Sequence, residues 1–181
     1  MGKKFNKICA IVFFPIAFFV YLIKVIIKVV KKALLRKYLK NISVNKIDSL
    51  DGKSFEDFLY YFFLSLNLKV KKTSLTRDYG ADLIIDYNGE KIVIQCKNYY
   101  NHKVGNSAIQ EIATAKDYYN ATIGIVITNW FFTSPAQTLA GKVGVKLIDR
   151  NILSQILHSP NTIKNDYFVN FIDSNKFVQT I

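Results

Sequence analysis

The sequence predicts an α/β sandwich, a mixed sheet covered by helices, preceded by a separate hydrophobic N-terminal segment. Three observations carry this expectation. An unbroken apolar run, ICAIVFFPIAFFVYLI, fills residues 8–23 before any alternating pattern begins. Two strand-like segments flank Asn88-Gly89, a dipeptide that favours the positive φ of a tight hairpin. From there, helical and strand periods alternate to about residue 157, the order that builds layered α/β domains.

The apolar run has sixteen residues, slightly short of the roughly 20 that cross a bilayer. It resumes as Val25, Ile26, Ile27, Val29 and Val30, interrupted by Lys24 and Lys28. Those lysines can snorkel toward headgroups and lengthen the usable span. The expectation is a retained single-pass transmembrane helix through residues 8–30. A cleaved signal peptide would need small residues after the apolar core, and Tyr21, Leu22, Ile23 and Lys24 stand there instead. An interfacial amphipathic helix is the other rival, because Lys24, Lys28 and Lys31/Lys32 line one face. Seven basic residues, Lys24 to Lys40, follow the apolar run 8–23 and three precede it, which places the C-terminal side in the cytoplasm.

The formal charge of +12 is unevenly placed. Residues 1–40 hold ten Lys/Arg and no acid, which leaves 15 basic against 13 acidic residues, about +2, for residues 41–181. The high pI therefore belongs to the N-terminal segment and is no argument for nucleic acid. Two cysteines, Cys9 and Cys96, exclude a disulfide framework and a zinc-finger spacing.

The elements of the soluble part follow in order. Arg36 to Asn45 reads as a helical or irregular link. A helix fits Ser54 to Leu66, with Ser54 as cap, Glu56 and Asp57 in its first turn, and an apolar face of Phe55, Phe58, Leu59, Phe62, Phe63 and Leu66. A strand around Leu68 to Lys72 precedes the hairpin strands, Asp82 to Tyr87 and Lys91 to Lys97. A helix from Ser107 to Tyr119 leads to the apolar strand Ile123 to Thr128, of the kind buried on both faces. Ser134-Pro135 opens a helix to about Ala140. Val145 to Ile148 is a short strand, and Asn151 to Leu157 a short helix. Three parts result: residues 1–40 as membrane anchor and basic juxtamembrane segment, 41–160 as the domain, and 161–181 as a tail of uncertain structure.

The chemistry concentrates at one end of the hairpin. Asp82 begins one strand and Gln95-Cys96-Lys97 ends its neighbour, so the two lie side by side. Gln95 and Lys97 are two apart and share a face, while Cys96 points to the other. An acid, an amide oxygen and a lysine then converge. Hydrolysis of a phosphodiester needs such a set, because hard cations such as Mg²⁺ take oxygen ligands. Asp82 supplies the anionic ligand, and the Gln95 side-chain carbonyl and the Cys96 backbone carbonyl add neutral ones. Lys97 orients the attacking water or stabilises charge on the phosphate. Glu56 offers a second carboxylate. Each residue alone has a plainer reading: Asp82 as a strand-end acid, Lys97 as a solvated strand end, Glu56 as a favourable helix-start charge, Cys96 as core. Gln95 resists one, since an amide inside an apolar run needs partners. Trp130, Phe131 and Phe132 read as packing rather than base stacking.

Asp-Tyr-Gly-Ala-Asp-Leu (78–83) followed by Val-Ile-Gln-Cys-Lys (93–97) resembles the Mrr-type restriction endonucleases of the PD-(D/E)xK nuclease superfamily. The similarity continues collinearly through Val104, the helix at 107–119, Gly-Ile-Val-Ile-Thr (124–128), Phe132-Thr133-Ser134 and Val-Lys-Leu-Ile-Asp (145–149), and covers about residues 50–157. It implies a restriction-endonuclease-like mixed sheet flanked by helices. It also implies that Asp82 binds metal, that Gln95 takes the place of the superfamily's second acid, that Lys97 is catalytic and that Glu56 matches the acid of the first helix. The Gln at position 95 removes one anionic ligand. The implied activity is Mg²⁺-dependent hydrolysis of DNA, with Mn²⁺ as a substitute, in restriction of foreign or modified DNA, as in type IV enzymes. Combined with the N-terminal segment, the expectation is a DNA endonuclease on the inner membrane facing the cytoplasm. The alternative is an inactive nuclease-fold module that tethers DNA to the membrane. The two-fold symmetry of duplex DNA suits a homodimer.

Overall fold

The computed structural model describes residues 18–27, 29–30, 33, 44–73, 79–159 and 168–172. The chain divides into two compact units, residues 1–39 and 40–181. In the first, residues 18–27 and 29–30 are helical, and Phe18, Phe19, Tyr21, Ile23 and Ile26 are exposed. Among the described residues, no helix is long and apolar enough to cross a membrane. Residues 8–17 and 28 of the expected span, and residues 36–43 of the expected link, lie outside the described residues.

The second unit is a mixed α/β domain. Its helices are α1 (Val44–Asp48), α2 (Gly52–Ser65), α3 (Asn106–Tyr118), α4 (Ser134–Val143) and α5 (Arg150–His158). Its strands are β1 (Lys69–Lys72), β2 (Leu83–Tyr87), β3 (Glu90–Lys97), β4 (Ile123–Thr128) and β5 (Val145–Ile148), and the sheet runs β1-β2-β3-β4-β5. The first three strands are antiparallel neighbours, whereas β3-β4 and β4-β5 are parallel. The reversal follows from the connections. Asn88 and Gly89, at φ 50° and 84°, turn the chain straight back. The later parallel strands are joined through α3 and α4, as parallel pairs require.

Alternation sorts the side chains onto two faces. Val93 and Val126 pack with Ala108, Ile109, Ile112 and Ala115 of α3 and with Ala136 and Ala140 of α4. Ile92, Ile94, Ile125 and Ile127 are buried on the opposite face, where α2 meets β3. Every residue of β4 after Ile123 is buried, as its continuous apolar run foretold.

One helix start differs from expectation by more than one residue. The helix placed at Ser54 begins at Gly52, because Asp51 is the cap and its carboxylate accepts the Ser54 N–H at 2.7 Å. A carboxylate three residues ahead outcompetes the serine, and Glu56 and Asp57 fall beyond the first turn. At α4 the cap is Thr133, whose hydroxyl accepts from Ala136 N–H at 3.2 Å. Within the tail, residues 168–172 are helical, and Phe168 is buried against the Phe63 ring at 4.8 Å.

Candidate active site

The chemistry-bearing residues gather where β2 begins and β3 ends. Leu83 pairs with Ile94 as the last pair of the regular register. Asp82, just before it, also bonds to Ile94, so that its side chain reaches the Cys96 backbone rather than standing opposite Gln95. Asp82 is tied in at three atoms. Its N–H donates to the Ile94 carbonyl at 2.8 Å and its carbonyl accepts from Thr73 N–H at 3.0 Å. Its Oδ2 accepts the Cys96 N–H at 2.6 Å. The side chain thus takes a place in the strand ladder, which holds the carboxylate at the sheet edge.

Gln95 is 4% exposed. Its Nε2 donates to Glu111 Oε2, while its Oε1 is buried without a hydrogen-bond partner. Such an oxygen costs about 1–3 kcal/mol unless something satisfies it. Lys97, on the same face, places Nζ 3.0 Å from the same Glu111 Oε2. Gln95 and Lys97 therefore share one carboxylate oxygen.

Sequence reasoning missed Glu111. In Gln110-Glu111-Ile112 it reads as the solvated side of an amphipathic helix, and its side chain is indeed 43% exposed. One signal could have found it. Glu111 lies three residues after Ala108 and four before Ala115, both buried, so it borders the stripe that faces the sheet. Gly80 brings the loop before Asp82 hard against it. A Cβ on Gly80 would meet Glu111 Cβ and O at 2.8 Å, and its φ of 91° favours glycine. The loop that delivers Asp82 is thereby seated on the turn of α3 that carries Glu111.

Glu56 is half-buried on α2, which packs on the face opposite Gln95 and Lys97. Its charge reaches Cys96. Burial pushes the Cys96 thiol well above its ordinary pKa, and the carboxylates of Asp82 and Glu56 push it further. The thiol stays protonated and behaves as core. The structure thus joins Gln95, Lys97 and Glu111 on one face of β3, while Asp82 is bonded to Cys96 between them and its charge acts on the same thiol as that of Glu56.

A hydrogen-bonded support holds the chain beyond Lys97. Asn129 is 1% exposed. Its Oδ1 accepts from Tyr99 N–H at 2.8 Å, and its Nδ2 donates to the Tyr99 carbonyl at 3.1 Å and to Asp48 Oδ1 at 3.2 Å. Arg150 donates to the two Asp48 carboxylate oxygens from Nη1 and Nη2, at 2.6 and 2.8 Å. Trp130 lies under that guanidinium at 5.5 Å, and Phe132 is buried, so this aromatic run packs.

The donor chemistry fits a hard divalent cation. Among the described residues no three His, Cys, Asp or Glu side chains converge, which disfavours an all-protein cage of soft or nitrogen ligands. The Asp82 carboxylate on the Cys96 amide and the unsatisfied amide oxygen of the preceding residue suit an ion that keeps several waters.

The restriction endonuclease family model Mrr_cat matches residues 47–157. No curated protein matches the chain. Among solved structures it is similar to a protein of unknown function, at TM-score 0.46 and 19% identity over 52% of this chain and 55% of that one. It is similar to a repair endonuclease from Pyrococcus abyssi, at TM-score 0.41 and 18% identity over 55% and 47%. It is also similar to the MspJI restriction endonuclease solved with a 27-mer oligonucleotide, at TM-score 0.45 and 17% identity over 77% and 33%. The chain spans about half or less of the length of these three structures.

Proposed function

This chain belongs to the restriction endonuclease family of Mrr-type catalytic domains, and on that premise we propose that it is a divalent-metal-dependent DNA endonuclease. One observation carries the reading: Asp82 is bonded to the Cys96 amide, and Cys96 stands between Lys97 and a buried Gln95 whose Oε1 no protein group satisfies. Asp82, Gln95 Oε1 and the Cys96 backbone carbonyl would hold the metal, Mg²⁺ with Mn²⁺ as substitute. When bound, the metal polarises the scissile phosphate and acidifies a water. Lys97 presents its ammonium on the same face, where it orients the attacking water or stabilises charge building on the phosphate. The Cys96 amide keeps the Asp82 carboxylate at the sheet edge. Glu56 adds negative potential from the far face.

We extend the proposal to place and role. The apolar run at 8–23 and its basic flank support attachment to the inner membrane, with the domain facing the cytoplasm. There it would cut foreign or modified DNA as it enters, in the manner of a type IV restriction enzyme. A homodimer would suit cleavage of both strands.

The test is cleavage of modified and unmodified plasmid by the full chain, with Mg²⁺ or EDTA, beside Asp82→Ala and Lys97→Ala. Metal-dependent cleavage lost in both variants supports the endonuclease. Retention of DNA in a gel shift, with no cleavage under any condition, would instead make the chain a tethering module.

A further inference from the structure

Position 95 carries an amide where the proposed chemistry would welcome a second anion. The corner is nevertheless not short of one. Glu111 reaches in from α3, and a single oxygen of its carboxylate accepts from Gln95 Nε2 and lies 3.0 Å from Lys97 Nζ. We infer that Glu111 supplies the negative charge that position 95 lacks, and that Gln95 and Glu111 are an exchanged pair. This inference rests on the metal-dependent reading above.

The physical reason is mutual. A second carboxylate at position 95 would sit within hydrogen-bond reach of Glu111, and like charges that close cannot both stay ionised. An amide removes the conflict and adds a donor. Because Nε2 donates to Glu111, Oε1 is the end of the amide left over, and it is that oxygen which lies buried and unsatisfied. Glu111 therefore decides which end of the amide is offered as a ligand. It is a positioning residue: it sets the orientation of Gln95, holds the Lys97 ammonium, and contributes charge to the corner without leaving its helix. Gly80 is the fold's provision for this, since only a residue without Cβ lets the Asp82 loop lie on the backbone of Glu111.

The experiment is isothermal titration of Mn²⁺ into the full chain and into Asp82→Ala, Glu111→Gln, Gln95→Glu and the double variant Gln95→Glu/Glu111→Gln. Unfolding temperatures confirm that each is folded. Glu111→Gln should weaken Mn²⁺ binding about tenfold or more, the scale seen when a group that orients a ligand is lost. The double variant returns the same charge and the same amide–carboxylate pair in swapped order, and should bind within about threefold of the parent on that argument. Binding that depends on Asp82 but is indifferent to Glu111→Gln would overturn the inference and leave the metal site standing. A double variant as weak as Glu111→Gln would also overturn it. Absence of Mn²⁺ binding by the parent chain would remove the metal reading and this inference together.

Discussion

Lys97 Nζ and Glu111 Oε2 lie 3.0 Å apart across the junction of β3 and α3, fourteen residues apart in the chain. The pair is half open to solvent, with side-chain exposures of 24% and 43%. Partly exposed pairs contribute at most about 1 kcal/mol, so this one is there for what it positions.

Lys97→Ala should therefore separate activity from stability. Cleavage should fall by about 10² or more if Lys97 stabilises charge at the phosphate. The urea midpoint should shift by less than about 1 kcal/mol in unfolding free energy. Parallel plasmid-cleavage and urea-denaturation curves check it. A large stability loss would assign Lys97 a structural role.

Gly80→Ala should do the reverse of a surface change. The added Cβ meets backbone of Glu111 at 2.8 to 2.9 Å, at a φ where alanine is strained. The loop must back away from α3, which carries Asp82 from Glu111. We expect a destabilisation of about 1–3 kcal/mol, typical of overpacking and positive-φ strain. Activity should fall further than the folded fraction explains. Cleavage normalised to circular-dichroism signal measures both.

The Asp48–Arg150–Asn129 support should prove the more stabilising of the two ion pairs. Asp48 and Arg150 are each only 21% exposed and share two hydrogen bonds. Arg150→Ala removes charged hydrogen bonds to Asp48 and one to the Asn129 carbonyl, and should cost about 2–3 kcal/mol. Chemical denaturation checks the size. A cost below that of Lys97→Ala would contradict the ranking.

Cys96 gives a pH dependence with a defined sign. Burial, then the charges of Asp82 and Glu56, raises its folded pKa well above the ordinary 9.0. Below that ordinary value both states hold the proton and the contribution is fully present. Above it the unfolded thiol ionises while the folded one does not, so stability falls as pH rises toward the folded pKa. Unfolding free energies between about pH 8 and 10.5 should decline more steeply for the parent than for Cys96→Ala. Equal slopes would refute the buried, protonated thiol. The native thiol should also resist alkylation until the chain unfolds.

Much of the architecture was legible because it is written in local periods. The Asn88-Gly89 turn, the apolar run of β4 and the helical spacing of Phe55, Phe58, Phe62 and Phe63 each declare their element within a few residues. The hairpin register then follows, and with it the nearness of Asp82 to the end of β3. Errors fell at boundaries, where one side chain's competition for one N–H decides, as Asp51 did over Ser54.

By itself, then, the sequence determined the order of elements, the two faces of β3, and the meeting of Asp82, Gln95 and Lys97 at one hairpin end. These depend on spacing along a single strand pair, which alternation and turn geometry dictate. Tertiary structure alone decided that Glu111 meets Gln95 and Lys97, that Glu56 and Asp82 both act on Cys96, and that the Gln95 oxygen rather than its nitrogen is left unpaired. Those facts depend on how α3 and α2 lie across the sheet. That placement is set by the close packing of Val93, Ile109, Ile112 and the bare backbone of Gly80, and no short-range pattern encodes it.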